Sequence, residues 1–162
     1  MADIVVADAG PLIALARIAG LGMLPAIFHH TLMTRAVLDE CVARPDRPDG
    51  LLIQSAVDCG WVELAAEVTP AEDWGLDAGE TRAINLARAR NVGILMDDRA
   101  GRRVAAGLGI PLIGVLGVLI LAKRAGAIPL VRPLAEGLIR DGYYLASRVV
   151  EDALQLAGET SK

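Results

Sequence analysis

Two apolar runs, Ile4-Val5-Val6-Ala7 and Val92-Gly93-Ile94-Leu95-Met96, each stop at acids: Asp8 after the first, the pair Asp97-Asp98 after the second. Short apolar runs without polar alternation belong to strands covered on both faces, the condition of a parallel sheet packed between helices. Helical segments separate these runs and the weaker strand candidates. The alternation predicts an α/β fold of three layers, α/β/α, around a central parallel sheet. Crevices in open parallel sheets form outside the carboxyl ends of the strands, where the topology switches direction. Asp8 and Asp97-Asp98 fall at such ends, and Glu40 and Glu80 are placed where the same fold would gather them.

The predicted order is a strand at 4–8, a helix opened by Gly10-Pro11 through about Ile18, a short strand at 27–32, and a helix capped by Thr34 to about Ala43. The stretch Arg44 to Gly50 reads as a loop, followed by a helix at 51–57 and a strand at 61–64. An acidic connection, 67–76, leads to a helix at 78–90, a strand at 92–96, a helix at 99–106 and a strand at 110–113. Helices at 115–125, 131–140 and 147–157 complete the chain, with Asp141-Gly142 as a turn. At 162 residues the whole chain, 1–162, is expected to form one domain that includes these last helices. With 54% hydrophobic but only 3% aromatic residues, the core is expected to consist of Leu, Val, Ile and Ala.

The longest apolar stretch, Ile110 to Ala122, is too short to span a bilayer and reads as a strand plus a buried helix. No signal-peptide pattern opens the sequence, so a cytoplasmic location is expected. Cys41 and Cys59 show no metal-ligand spacing and are expected to be small buried groups. His29 and His30 are adjacent and would point to opposite sides of a strand, which leaves histidine-based zinc or nucleophilic chemistry without support.

Clustered carboxylates raise one another's pKa unless a cation neutralises them, and a hard divalent ion, Mg²⁺ or Mn²⁺, suits oxygen ligands. Each acid also has a plainer reading. Pro11 at the first helical position would place the cap at Gly10 and leave Asp8 free. Asp77 and Glu80 have the spacing of a capping box. One carboxylate of Asp97 and Asp98 suffices to cap the next helix, so the other is surplus. Helical periodicity does not choose between Asp39 and Glu40. The net charge of −4 argues against a broad basic surface, but Arg99, Arg102 and Arg103 follow the acid pair and, like Lys123-Arg124, are candidates to contact phosphates.

The segments Asp8-Ala9-Gly10-Pro11-Leu12-Ile13, Leu38-Asp39-Glu40, Leu76 to Ile84 and Leu95-Met96-Asp97-Asp98-Arg99 resemble, in order and spacing, the motifs of PIN-domain ribonucleases. The branch is similar to the VapC-type toxins of prokaryotic toxin-antitoxin pairs, and the likeness extends over about residues 3 to 157. The resemblance implies a PIN-like fold and metal-dependent endonucleolytic hydrolysis of RNA. It places Asp8, Glu40, Glu80 and one or both of Asp97 and Asp98 in the acidic site, with Asp8 and Asp98 or Asp97 on Mg²⁺ or Mn²⁺. It also implies a small cognate antitoxin and, with apolar helices at both ends of the chain, a homodimer. Two positions depart from the family pattern: Gly10 stands where many relatives carry Ser or Thr, and Val115 where many carry Thr. They keep a second expectation open, a catalytically weak or inactive PIN-like module that binds a protein partner.

Overall fold

In the computed structural model, which describes residues 3–69 and 72–160, the first apolar run forms strand β1 (Ile4–Ala7). The other strands are β2 (His30–Met33), β3 (Glu63–Leu64), β4 (Gly93–Leu95) and β5 (Leu112–Ile113). They make one five-stranded sheet in the order β3-β2-β1-β4-β5, with every pairing parallel. The chain therefore moves outward from β1 in one direction, then returns past it and continues in the other. Right-handed crossovers in opposite directions put helices on opposite faces, as expected for three layers. The reversal falls between β1 and β4, so the switch-point crevice opens at their carboxyl ends.

Register fixes what stands at that crevice. Val6 pairs with Leu32 on one side and Ile94 on the other, and Ala7 with Leu95. The Asp8 N–H donates to the Leu95 carbonyl at 2.9 Å, which carries the ladder one residue beyond β1. Val5, Val6, Ile94, Leu95 and Met96 are fully buried, and Leu12, Leu15, Ile84, Val118 and Leu119 of the surrounding helices close over them. The aromatic-poor core is as the composition implied.

The helices are α1 (Ala9–Arg17), α2 (Leu24–Ile27), α3 (Arg35–Val42), α4 (Asp49–Asp58), α5 (Ala78–Arg90), α6 (Arg99–Gly107), α7 (Val115–Arg124), α8 (Arg132–Arg140) and α9 (Ser147–Leu156). The predicted bounds of α5 coincide with the observed ones, because both ends carry explicit signals. Asp77 and Glu80 form the reciprocal capping box, and Asn91 ends the helix in the left-handed conformation at φ 55°. Thr34 caps α3 by accepting the Val37 N–H at 3.2 Å. Strands are shorter than the apolar runs suggested, and α4 starts inside the expected loop. Part of the acidic connection expected at 67–76, residues 70 and 71, lies outside the described residues.

Several expectations need correction. The cap of α1 is Asp8, not Gly10, since the helix begins at Ala9. Cys41 is buried but Cys59, just past α4, is exposed. Ile110 to Ala122 is a strand followed by a largely buried helix, as expected, and among the described residues no single helix is long and apolar enough to cross a membrane. Lys123 has a structural role. Its ammonium bonds the Ala157 carbonyl at 2.8 Å and Glu159 Oε1 at 2.9 Å, while Glu159 also accepts the Val131 and Arg132 N–H groups at the start of α8. The C-terminal segment is thereby tied to α7 and α8. His29 pairs with Asp3 and His30 with Glu63, both at the amino end of the sheet, away from the acids.

Candidate active site

Asp8 follows β1 directly and is almost wholly buried. As the cap of α1 it would ordinarily accept an N–H from the second or third helical residue. The third is Pro11, which has none, and no cap bond is made by the side chain. Asp8 thus occupies the cap position without using its carboxylate there, which leaves that group for another use. Its Oδ1 is buried and has no hydrogen-bond partner among the described residues.

Burial pushes the Asp8 carboxyl up from 3.8 to about 7; the nearby Ala9 N–H works against this, and the charges of Glu40, Glu80 and Asp77 add to it. An orphaned carboxylate oxygen in the low-dielectric floor of an acidic crevice costs free energy that a cation would recover.

Glu40 comes from α3 and reaches the first turn of α5. There Gly79 leaves the room: a Cβ at that position would stand 2.6 Å from Glu40 Oε2. Asp39, the alternative, turns away and pairs with Arg35 at 3.2 Å on the exposed side. Glu80 serves the capping box, accepting the Asp77 N–H at 3.3 Å, and also faces the other acids. Burial and Asp77 raise the Glu40 carboxyl; burial, Asp77, Asp98 and Glu40 raise that of Glu80 against its bond to the Asp77 N–H. The structural and chemical readings of Glu80 are compatible in one side chain.

Asp97 and Asp98 part company. Asp98 caps α6 through Oδ2, which accepts the Gly101 N–H at 2.8 Å, and its Oδ1 makes no hydrogen bond among the described residues. Asp97 turns toward α7. The Val115 N–H reaches its two oxygens at 3.2 and 3.1 Å, and the Tyr143 hydroxyl donates to Oδ2 at 2.6 Å. Gly114 permits this approach, since a Cβ there would meet Asp97 Oδ1 at 2.6 Å. The carboxylate thus supplies the cap that Gly114 lacks.

A family model described as a PIN domain matches residues 4–159. The chain belongs to the PIN-domain family. PIN domains are in general nucleases, and the all-parallel sheet with its acid-lined switch point is the fold expected of one. Searches of curated proteins and of solved structures gave no match.

Within this PIN domain Glu40, Glu80 and Asp77 are near enough for their charges to bear on Asp8, and Asp98 and Glu40 near enough to bear on Glu80. Among the described residues no group of three or more His, Cys, Asp or Glu side chains is placed to hold a metal ion. The donor set still fits Mg²⁺ or Mn²⁺, because Mg²⁺ keeps most of its waters and takes only one or two carboxylates directly. Of these acids, Asp8 is the one whose side chain has a buried oxygen, Oδ1, without a hydrogen-bond partner among the described residues.

Arg99 and Arg103 are exposed and make no hydrogen bond or ion pair among the described residues, whereas Arg102 donates to the Met96 carbonyl at 2.8 Å. Sequence reasoning missed two residues. Asp77 read only as a cap, although it is the acid that bears on Asp8, Glu40 and Glu80 alike. Tyr143 gave no signal beyond being one of two tyrosines in the chain.

Proposed function

We propose that this PIN domain, acting as one unit over residues 1–162, is a metal-dependent endoribonuclease that hydrolyses RNA phosphodiesters. The observation that carries the reading is the buried, unpartnered Asp8 Oδ1 at the carboxyl end of β1, on which the charges of Glu40, Glu80 and Asp77 bear. Asp8 and Asp98 would hold Mg²⁺ or Mn²⁺, with Asp97 as the alternative to Asp98. When bound, the ion supplies polarisation of the scissile phosphate and a lowered pKa for water.

The chain's own residues do the rest. Glu40 and Glu80, whose carboxyls are raised, are suited to orient the attacking water and accept its proton. Arg99 and Arg103 are free to meet strand phosphates, and Arg102 presents the donors that Met96 does not use. The decisive experiment is incubation of purified protein with single-stranded RNA and Mn²⁺ or Mg²⁺. Cleavage by wild type and its loss in Asp8→Asn is the expected result; intact RNA with both metals overturns it.

An unrestrained ribonuclease would damage its own cell, so the biological role we infer is a cytoplasmic toxin held by a small antitoxin. The homodimer is supported by α8 and α9, where Ile139, Val149 and Leu156 are exposed. The N-terminal helix contributes less than expected, as Leu12, Ala14 and Leu15 are buried. The second reading, a weak or inactive module that binds a protein, draws on Asp97: its oxygens are already engaged by Val115 and Tyr143, and Gly10 offers no hydroxyl.

A further inference from the structure

Tyr144 is 87% exposed, in a chain that contains only five aromatic residues and buries its single Phe. It lies on the connection between α8 and α9, one residue after the Tyr143 that bonds Asp97. It lines a groove of about 390 Å³ that includes Asp97 but none of Asp8, Glu40, Glu80 and Asp98. Gly114, Gly117, Val149 and Arg102 also line it, Val149 adding apolar surface and Arg102 a cation. Arg102 is steadied by the Met96 carbonyl, and one such bond leaves most of a guanidinium's five donors unused.

We propose that this groove is a subsite for an unpaired nucleobase of the RNA strand, next to the phosphate held at the acids, with Tyr144 as its stacking face. The proposal rests on the RNA reading above and extends it to the kind of strand the site accepts. An exposed aromatic face beside small residues and a cation offers a base both a stacking surface and hydrogen-bond donors for its edge. Arg99 and Arg103 flank Arg102 on α6 and make no hydrogen bond or ion pair among the described residues, so positive charge lies next to the groove, as a phosphate backbone requires. A base already stacked within a duplex cannot lie on Tyr144. The site is therefore selective for single-stranded segments.

The test measures binding apart from cleavage. Fluorescence anisotropy with a labelled single-stranded oligoribonucleotide is read on Asp8→Asn protein, with and without Tyr144→Ala. Affinity is expected to fall about tenfold on loss of the ring, to be retained in Tyr144→Trp, and to show no dependence on residue 144 with a duplex of the same sequence. Since the side chain is exposed, circular dichroism should be unchanged in both variants. Equal single-strand affinity with and without the ring overturns the subsite, even if wild type cleaves RNA. Weakened binding in Tyr144→Ala from a protein that cleaves nothing keeps the subsite and removes the nuclease reading. A change of mass by light scattering in Tyr144→Ala, with RNA affinity unchanged, makes the groove a protein contact and overturns the proposal; no RNA binding at all removes both readings.

Discussion

The Tyr143 hydroxyl donates a 2.6 Å hydrogen bond to Asp97 Oδ2, joining the segment after α8 to the acid that follows β4. Burial and the Asp97 charge hold the phenol above its usual range, so it remains a donor throughout the neutral and mildly alkaline region. Asp97 is therefore a positioned carboxylate: it caps α7 and anchors a distant segment in the same contact. Removing the hydroxyl in Tyr143→Phe leaves that half-buried charge short of a donor and should destabilise the fold by about 1.5 kcal/mol. Urea denaturation measures this, and an unchanged midpoint contradicts it.

Asp97→Asn and Asp98→Asn should consequently differ. The first should lose stability because an amide is a poorer acceptor for Val115 and Tyr143; the second should lose metal response and RNA cleavage with a smaller change in stability. Thermal melts with and without Mn²⁺, paired with a cleavage assay, separate the two. A stable Asp97→Asn that no longer responds to Mn²⁺ would transfer the ligand role to Asp97.

The metal-free protein should grow less stable as pH rises from about 4 to about 7. In its folded state Asp8 holds its proton up to about 7, against 3.8 ordinarily, so between those values the folded chain binds more protons than the unfolded one. Stability falls with pH wherever that holds, and levels off above the folded pKa. Asp8→Asn removes this slope. Denaturation midpoints across the range check the sign, and a wild-type midpoint that rises toward neutrality from this group would refute the burial argument.

Mn²⁺ or Mg²⁺ should reverse that loss. At a hundred times its Kd a ligand specific to the folded state contributes about 2.7 kcal/mol, and Asp8→Asn should abolish most of the gain. Calorimetry on both proteins decides it; equal gains would exclude Asp8 as a ligand.

Gly79→Ala offers a change that separates activity from folding. The new methyl would stand 2.6 Å from Glu40 Oε2 and displace that carboxylate, while alanine within a helix is intrinsically favoured over glycine by up to about 1 kcal/mol. RNA cleavage should fall severalfold with Tm unchanged or raised. Full activity would mean that the position of Glu40 is immaterial.

Local signals made much of this protein legible in its sequence. The buried runs at β1 and β4 announced a covered parallel sheet, Thr34 and Asp77 announced helix starts, and the acids after the strands announced a crevice, because each depends on neighbours within a few residues. The choice of Glu40 over Asp39 could not be read that way. It depends on the room left by Gly79, on a helix reached only after the chain has crossed the sheet. Nor could the division between Asp97 and Asp98, which is made by Tyr143 and Val115, 46 and 18 residues away from Asp97. Strand segments and most helix caps are short-range properties that sequence patterns encode; the partner of a carboxylate at a switch point is set by whichever distant elements packing brings beside it, and only the tertiary structure decides that.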